Sequence, residues 1–326
     1  MSATAPVLQV AGLEVSYGPA HRSKDPVRGL DFELYAGEVL AVVGESGSGK
    51  SQTALALLGL LGPGARRRGS ILLEGKSLDD LDEAAWTRVR GRRIGLVSQD
   101  PGQALDPYLT IGKQMLEMLR WHQGLGGAKA REQAETMLQA VGLTDATDLL
   151  GKYPHELSGG MQQRAVMALA LLGEPVVLVA DEPTTALDVT TQSQVLDLIA
   201  TQARQSGTAV LLITHDLAVV HGVADRVMVM YGGRILEQGR TEELFAAAGH
   251  PYTAGLIACA PGLTSTPGSL LPSLQGQAPG AGDWPRGCPF HPRCLRRLDK
   301  CASSMPVLEQ ISTTHRRACF NPETDL

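Results

Sequence analysis

The sequence predicts an α/β fold whose parallel sheet carries a glycine-rich loop at the end of one strand. Short apolar, β-branched strands alternate with helical segments along most of the 326 residues, as in parallel sheets with crossover helices. One of these strands leads directly into the glycine-rich loop, and a helix-forming run follows the loop. With 43% hydrophobic residues the chain can bury a sizeable core.

The glycine-rich loop, Gly44–Ser51, reads G-x-x-x-x-G-K-S. Its glycines allow left-handed backbone, so that N–H groups and the start of the helix can surround an anion. We expect Lys50 to reach the β- and γ-phosphates of a nucleoside triphosphate and Ser51 to offer its hydroxyl to Mg²⁺. The predicted nucleotide contacts of this segment are Gly44, Ser46, Gly47, Ser48, Gly49, Lys50, Ser51 and Gln52.

Composition excludes several classes of function. A formal charge of −5 and a pI near 5.9 give no overall basic field, so nucleic-acid binding is not expected. The longest apolar stretch, 165–180, is interrupted by Gly173-Glu-Pro175 and is not a membrane span. The first residues lack a basic start and an apolar segment, so no signal peptide is predicted and the chain is expected in the cytosol.

The coarse order of elements follows from periodicity. Helical character dominates 100–173, with 128–141 the clearest amphipathic piece, and 249–287 is predicted to be an irregular arm rich in proline and glycine. A polar helix is expected at 79–89. Predicted strands lie at 7–10, 13–17, 30–34, 70–73, 94–98, 176–179, 208–213, 226–230 and 234–237.

Two adjacent carboxylates, Asp181 and Glu182, end the apolar run 176–180. Such a pair is often only a solvated strand end. In a chain with a phosphate loop, however, Asp181 is expected to hold Mg²⁺ and Glu182 to act as the general base that polarises the attacking water.

The run Leu157–Arg164, Leu-Ser-Gly-Gly-Met-Gln-Gln-Arg, resembles the signature motif of ATP-binding cassette (ABC) proteins. The resemblance implies a P-loop NTPase with a RecA-like core, an antiparallel β-subdomain and an inserted helical subdomain near 100–173. It also implies that Ser158, Gly159 and Gly160 contact the γ-phosphate held by a second cassette. Two cassettes must then meet for ATP hydrolysis.

Further motifs follow in the order of that family. Gln99 resembles the Q-loop glutamine, which would sense Mg²⁺ and couple to membrane subunits, and His215 resembles the switch histidine near the γ-phosphate. The stretch 185–188 resembles the D-loop, with Thr185 where serine is more usual. Tyr17 matches the aromatic residue that stacks on adenine, although a packing role is the alternative.

Secondary features point to one branch of the family. The stretches 99–107, 153–161, 250–256 and 287–294 resemble the dipeptide and oligopeptide importers, a branch that includes nickel and metallophore importers. The implied division is an ABC ATPase domain at 1–248 and an importer-type C-terminal extension at 249–326.

This resemblance implies an ATP-hydrolysing subunit at the cytoplasmic face of the inner membrane. Its partners would be a second, paralogous cassette, two transmembrane permeases and an extracytoplasmic substrate-binding protein. The alternative from another class is a soluble translation or repair ATPase. Such a protein would usually carry tandem cassettes or a long coiled coil, and this sequence shows neither. A purely regulatory cassette would show damage at Lys50, Glu182 or His215, and none of them is altered.

Four cysteines, Cys288, Cys294, Cys301 and Cys319, are the candidate ligands of a metal centre in the extension. Disulfides are not expected in a cytosolic chain, and the spacings match neither zinc knuckles nor ferredoxin runs, so spacing leaves the metal open. The resemblance to the importer extension implies a 4Fe-4S cluster, with zinc as the alternative. Cys259 is expected to be a small buried residue and not a ligand.

Overall fold

The computed structural model describes residues 5–19, 23–184, 187–260, 274–280 and 282–321. The chain forms two compact units that alternate along the sequence. The first unit contains 1–7, 34–38 and 80–212, and the second contains 8–33, 39–79 and 213–326.

The strands are β1 (Leu8–Tyr17), β2 (Lys24–Leu34), β3 (Val39–Val43), β4 (Ala65–Leu73), β5 (Lys76–Ser77), β6 (Ile94–Val97), β7 (Val177–Asp181), β8 (Ala209–Thr214), β9 (Arg226–Tyr231), β10 (Arg234–Arg240), β11 (Glu309–Gln310) and β12 (Arg316–Arg317). The helices are α1 (Lys50–Leu57), α2 (Glu83–Val89), α3 (Pro101–Ala104), α4 (Ile111–Gln123), α5 (Gly127–Ala140), α6 (Ala146–Leu149), α7 (Gly159–Leu172), α8 (Val189–Ser206), α9 (Leu217–Val223), α10 (Thr241–Ala246), α11 (Pro251–Cys259) and α12 (Lys300–Ser303).

The second unit contains a small antiparallel sheet in the order β2-β1-β4-β5. The two strands predicted at 7–10 and 13–17 are one strand, β1, because a bulge between Ala11 and Glu14 continues the pairing with β4 past Gly12. Gly12 has φ +58°, a conformation that glycine adopts without penalty. The periodicity breaks at this bulge, which explains why the sequence suggested two strands.

The same unit contains a parallel pair, β3 and β9, extended by antiparallel β10. All five residues of β3 are buried, and five of the six in β9. Short strands from the end of the chain continue the pairing, since β12 pairs with β10 and β11 with β12. The last part of the chain is therefore built onto the sheet of the second unit.

The arm predicted to be irregular contains a nine-residue helix, α11. The His250 side chain accepts a hydrogen bond from Tyr252 N–H at the start of this helix, and Pro251 occupies its first turn. Single-sequence periodicity missed α11 because its residues are almost uniformly apolar or small. Residues 261–273 of the same arm lie outside the described part of the chain.

In the first unit β6 and β7 pair in parallel, with β8 next to β7. Residues 100–173 form the helices α3–α7, and their described residues include no strand. Short polar side chains start several helices of this unit, including Asp82, Thr110, Ser158 and Asp188.

Candidate functional site

The phosphate loop connects β3 to α1, as the sequence predicts. Gly47 and Gly49 have φ +80° and +105°. A side chain at Gly44 would overlap the Met230 carbonyl oxygen, and one at Gly49 would overlap the Pro26 carbonyl oxygen. Glycine is therefore required at these positions by backbone conformation or by close approach.

Lys50 lies inside this loop, with 5% of its surface exposed. Its Nζ donates hydrogen bonds to the carbonyl oxygens of Gly44, at 2.7 Å, and Glu45, at 3.1 Å. The hydroxyl of Ser48 is buried and has no hydrogen-bond partner among the described residues. A tight loop with a central ammonium and an unpaired buried hydroxyl fits a bound polyphosphate.

Tyr17 ends β1 in the same unit. Its hydroxyl donates a 2.6 Å hydrogen bond to Oε1 of Gln52, the residue that follows Ser51. The ring is half-buried. This bond connects the predicted adenine-stacking residue to the first turn of α1.

The first unit brings Gln99 and Glu182 together. Gln99 follows β6 and Glu182 follows β7, and the two strands are paired in parallel with Val97 opposite Ala180. Gln99 Nε2 donates to Glu182 Oε2 at 3.2 Å. Both side chains are at least partly accessible, so they can meet a ligand at this edge of the sheet.

Glu182 has a left-handed backbone, with φ +47°. For a residue with a Cβ this conformation costs about 1–2 kcal/mol, and such outliers concentrate at functional sites. Asp181, the last residue of β7, is half-buried. The structure therefore places both predicted carboxylates at the end of a buried strand.

The signature residues open α7. Ser158 is the N-cap, and its hydroxyl accepts a hydrogen bond from Met161 N–H at 3.4 Å. Ser158 and Gly159 are exposed, whereas Leu157 before them is buried and anchors the turn. A Cβ on Gly160 would lie 3.1 Å from Thr191 Cγ2 in α8, so a larger residue would crowd this helix start. The positive end of a 14-residue helix is thus presented outward.

Two further motifs fall next to strand or helix ends. His215 follows β8 in the second unit and is exposed. Asp188 caps α8 by accepting from Thr191 N–H at 3.0 Å. Thr185 and Ala186, the first residues of the predicted D-loop, lie outside the described residues.

The four candidate cysteines gather in the last part of the second unit. Cys288 N–H donates to the Cys301 carbonyl oxygen at 2.9 Å. Burial, together with the smaller effects of the neighbouring thiols of Cys301, Cys319 and Cys294, raises the pKa of the Cys288 thiol to about 11. Burial also raises the pKa of Cys294 and Cys319. The four cysteines therefore lie near one another in this part of the chain.

That the four cysteines lie near one another does not by itself give the geometry of a metal site. Among the residues that the structure describes, no set of three or more His, Cys, Asp or Glu side chains is arranged to hold a metal ion. The donor chemistry fits at three of the four positions, because backbone groups of Phe290 and Arg296 favour the thiolates of Cys288 and Cys294 and Leu298 N–H donates to Cys301 Sγ at 3.4 Å. Cys319 Sγ instead donates to the Asn321 carbonyl oxygen at 3.3 Å. Cys259 is half-buried in α11, more exposed than predicted.

Sequence reasoning missed a contact to the phosphate loop. Arg293, one position before Cys294, forms a two-pronged ion pair with Glu45, the second residue of the loop. The two residues are 248 positions apart. A single sequence holds no signal that pairs positions so distant.

No helix among the described residues combines the length and the apolar character needed to cross a bilayer.

Two family models and several curated proteins are similar to this chain in sequence. The family model described as ABC transporter matches residues 27–185, and the model described as the C-terminal region of oligopeptide/dipeptide transporters matches 236–301. The oligopeptide transport ATP-binding protein OppD of Salmonella typhimurium is 43% identical over 320 residues, covering 98% of this chain and 95% of that protein. OppD of Haemophilus influenzae is 43% identical, with 97% of each chain covered.

Solved cassettes share the fold. The ATP-binding cassette MJ0796, as a dimer in a post-hydrolysis state bound to ADP and Pi, has a TM-score of 0.64 at 26% identity, covering 72% of this chain and 98% of that one. Another is cbiO1 of Clostridium perfringens, part of the cbiONQ transporter complex. It has a TM-score of 0.64 at 29% identity, covering 74% of this chain and 91% of that one.

Proposed function

The chain belongs to the ABC transporter family of ATPases, and from this premise we propose that it powers the import of dipeptides or oligopeptides. The observation that carries the proposal is the match to the transporter-specific C-terminal region at 236–301. The cassette domain alone is shared with solved cassettes at 26–29% identity over 72–74% of this chain, whereas the region at 236–301 matches a model described for oligopeptide/dipeptide transporters.

We propose a division of labour within the ATP site. The phosphate loop with Lys50 binds the β- and γ-phosphates, and Tyr17 stacks on the adenine. Ser51, Gln99 and Asp181 are the proposed holders of Mg²⁺, which supplies charge neutralisation at the phosphates when bound. Support comes from the buried ammonium of Lys50 and from the bond that Tyr17 makes to Gln52.

Glu182 is the proposed general base and His215 the residue that contacts the γ-phosphate. Glu182 accepts a proton from the attacking water, and the Gln99 amide orients its carboxylate. The exposed Ser158 and Gly159 and the half-buried Gly160 serve the nucleotide of a second cassette, because an N-terminal helix end attracts anions. Hydrolysis by the purified chain should therefore be slow and should rise with its companion cassette.

The proposed assembly follows from the same premise. This chain pairs with a paralogous cassette beneath two permeases, at the cytoplasmic face of the membrane. An extracytoplasmic binding protein delivers the peptide, and ATP-driven closure of the cassettes switches the permeases. The domain division at 248/249 and the helical subdomain at 100–173 belong to this proposal.

The direct test is uptake by proteoliposomes that contain this chain, its companion cassette and permeases, and the binding protein. We expect ATP-dependent uptake of a labelled tripeptide. Uptake of nickel chelate with no peptide uptake would instead assign the chain to a nickel or metallophore importer. ATP hydrolysis without any uptake would favour a non-transport ATPase.

Glu182→Gln tests the general base in the same preparation. We expect hydrolysis and uptake to fall roughly 10²–10⁴-fold while ATP still binds. Glu242→Gln, which removes the same charge from an exposed position in α10, is the control and should hydrolyse ATP normally. Near-normal hydrolysis by Glu182→Gln would contradict the assignment.

We also propose that the four cysteines hold a 4Fe-4S cluster, with zinc as the alternative, and that the centre pins the C-terminal segment. The support is the local geometry, in which Cys288 N–H donates to the Cys301 carbonyl oxygen at 2.9 Å and Leu298 N–H donates to Cys301 Sγ at 3.4 Å. Anaerobic purification should give a brown protein with about four irons per chain. A colourless protein containing zinc, or one that takes up no metal on anaerobic reconstitution, would contradict the cluster and leave the ATPase assignment intact.

A further inference from the structure

The phosphate loop is contacted by residues of the C-terminal segment, the name used here for the extension at 249–326. The Arg293 guanidinium donates to both carboxylate oxygens of Glu45, Nη1 to Oε2 at 2.6 Å and Nη2 to Oε1 at 3.0 Å. The Arg293 side chain is 6% exposed and the Glu45 side chain 28%. A bidentate pair with so little exposure is much less screened than a surface ion pair.

The guanidinium is itself fixed in place. Its Nε donates to the Gln275 carbonyl oxygen at 2.8 Å, and Nη1 donates to the Tyr231 hydroxyl at 3.2 Å. The rings of Tyr231 and Phe290 lie 5.8 and 5.9 Å from its central carbon. Arg293 is therefore preorganised, and little side-chain freedom remains to be lost when it holds the loop.

Glu45 has a second anchor at its backbone. Its N–H donates to the Tyr252 hydroxyl at 2.9 Å. Tyr252 belongs to α11, is fully buried, and packs edge-on against Tyr231 with ring centroids 4.7 Å apart. The side chain of Glu45 is thus held by Arg293 and its backbone by Tyr252, and both of these residues come after β10 in sequence.

Glu45, the residue that Arg293 and Tyr252 hold, also contacts the ammonium group of Lys50. The Glu45 carbonyl oxygen accepts a hydrogen bond from Lys50 Nζ at 3.1 Å. A carboxylate within a loop that receives a polyanion would repel that polyanion, and Arg293 supplies the positive charge that offsets it. Loss of Arg293 would therefore change both the position of the loop and its local charge.

We propose that Arg293 and Tyr252 are positioning residues of the phosphate loop, through which the C-terminal segment sets the ATP affinity of this chain. Neither residue needs to contact the nucleotide. Arg293 orients the loop and neutralises Glu45, and Tyr252 fixes the backbone at the same residue.

The test is ATP affinity in the full-length chain, measured with a fluorescent ATP analogue, together with kcat and KM. Arg293→Ala should raise Kd and KM roughly tenfold with a much smaller change in kcat, because a charge-assisted pair is lost and Glu45 is left uncompensated. Arg297→Ala, which removes an exposed arginine from the same segment, is the matched control and should bind ATP normally.

A rescue separates positioning from general packing. The double variant Glu45→Gln with Arg293→Ala removes the uncompensated carboxylate and should recover most of the lost affinity. Tyr252→Phe keeps the ring and its packing and should raise Kd by about threefold. Arg293→Lys keeps the charge without the fork and should fall between the native chain and Arg293→Ala.

The thermal midpoint without nucleotide is measured for every variant. Unchanged Kd in a folded Arg293→Ala chain would overturn the proposal, and so would a weakened Kd that Glu45→Gln does not restore. If Arg293→Ala does not fold, Tyr252→Phe and Arg293→Lys decide the question, since normal affinity in both would also overturn it.

Discussion

The phosphate loop, Gly44–Ser51, and the cysteine segment, 287–319, belong to the same unit but acquire their shapes differently. The loop is shaped by near neighbours, such as Lys50 Nζ with the carbonyls of Gly44 and Glu45, and Arg293 and Tyr252 hold it from outside. The segment has few regular elements and exposes Leu295 and Val307, at 90% and 73%. It depends instead on bonds to distant residues.

The bonds that hold the segment centre on Glu237 in β10. This carboxylate is fully buried and accepts hydrogen bonds from the N–H groups of Gly249 and His250. It also pairs with His315 Nε2 at 2.6 Å. One side chain thus joins the core sheet to the start of α11 and to the end of the chain. The comparison teaches that the segment is attached to the sheet through Glu237, whereas Lys50 lies at the centre of the phosphate loop, so mutations at these two residues should have different effects.

The largest expected effect is on the loop. Lys50→Ala should lower ATP affinity by about 100-fold, because the charge-assisted hydrogen bonds of the ammonium to the phosphates are lost. Its fold should persist, since the bonds of the Lys50 ammonium to the Gly44 and Glu45 carbonyls lie within one loop. Nucleotide titration measures the affinity, with Lys76→Ala at an exposed position in β5 as the control. Equal affinities would refute the central role of Lys50.

The converse change breaks attachment. Glu237→Ala should lower the free energy of unfolding by about 3 kcal/mol, because two buried N–H groups and His315 lose their acceptor. Urea denaturation measures this loss. Glu243→Ala is the control, since Glu243 bonds to Thr314 of the same segment at an exposed position and should cost less than about 1 kcal/mol. Similar losses in both variants would show that burial at Glu237 does not matter.

A smaller effect sharpens the comparison through pH. Burial lowers the pKa of His250 from 6.5 to about 4, with Glu237 opposing the shift and Arg317 adding to it. Because the unfolded chain binds this proton first as pH falls, the contribution is intact above pH 6.5 and is lost progressively between pH 6.5 and about pH 4. By pH 5 the loss should reach about 2 kcal/mol.

His250→Asn tests that origin. Asparagine can still cap α11 but does not titrate in this range, so the stability of the variant should fall less between pH 7 and pH 5 than that of the native chain. Parallel urea curves at several pH values measure the difference. Identical pH dependence in the two chains would assign the acid sensitivity to other groups.

The sequence predicted the fold well where local chemistry decides it. Buried strands such as 176–179 and 208–213 appear within one or two residues of β7 and β8. The ends of β6 and β7 place Gln99 and Glu182 together because paired parallel strands present their carboxyl ends at one edge. The signature motif also depends on local chemistry, since Ser158 is a good helix N-cap and starts α7.

The remainder depends on contacts that periodicity does not contain. A bulge at Gly12 joined two predicted strands, and α11 forms in an arm predicted to be irregular. The Arg293–Glu45 pair joins two motif-bearing segments that are 248 residues apart, and neither motif predicts the contact. In each case tertiary packing, and not local propensity, decides the outcome.

The left-handed backbone of Glu182 has a consequence for protein engineering. At φ +47° a glycine is relaxed, whereas glutamate is strained by about 1–2 kcal/mol. A screen that rewards thermal endurance alone should therefore enrich Glu182→Gly and select inactive ATPases. Stability at this strand end and turnover are opposed by the geometry of a single residue.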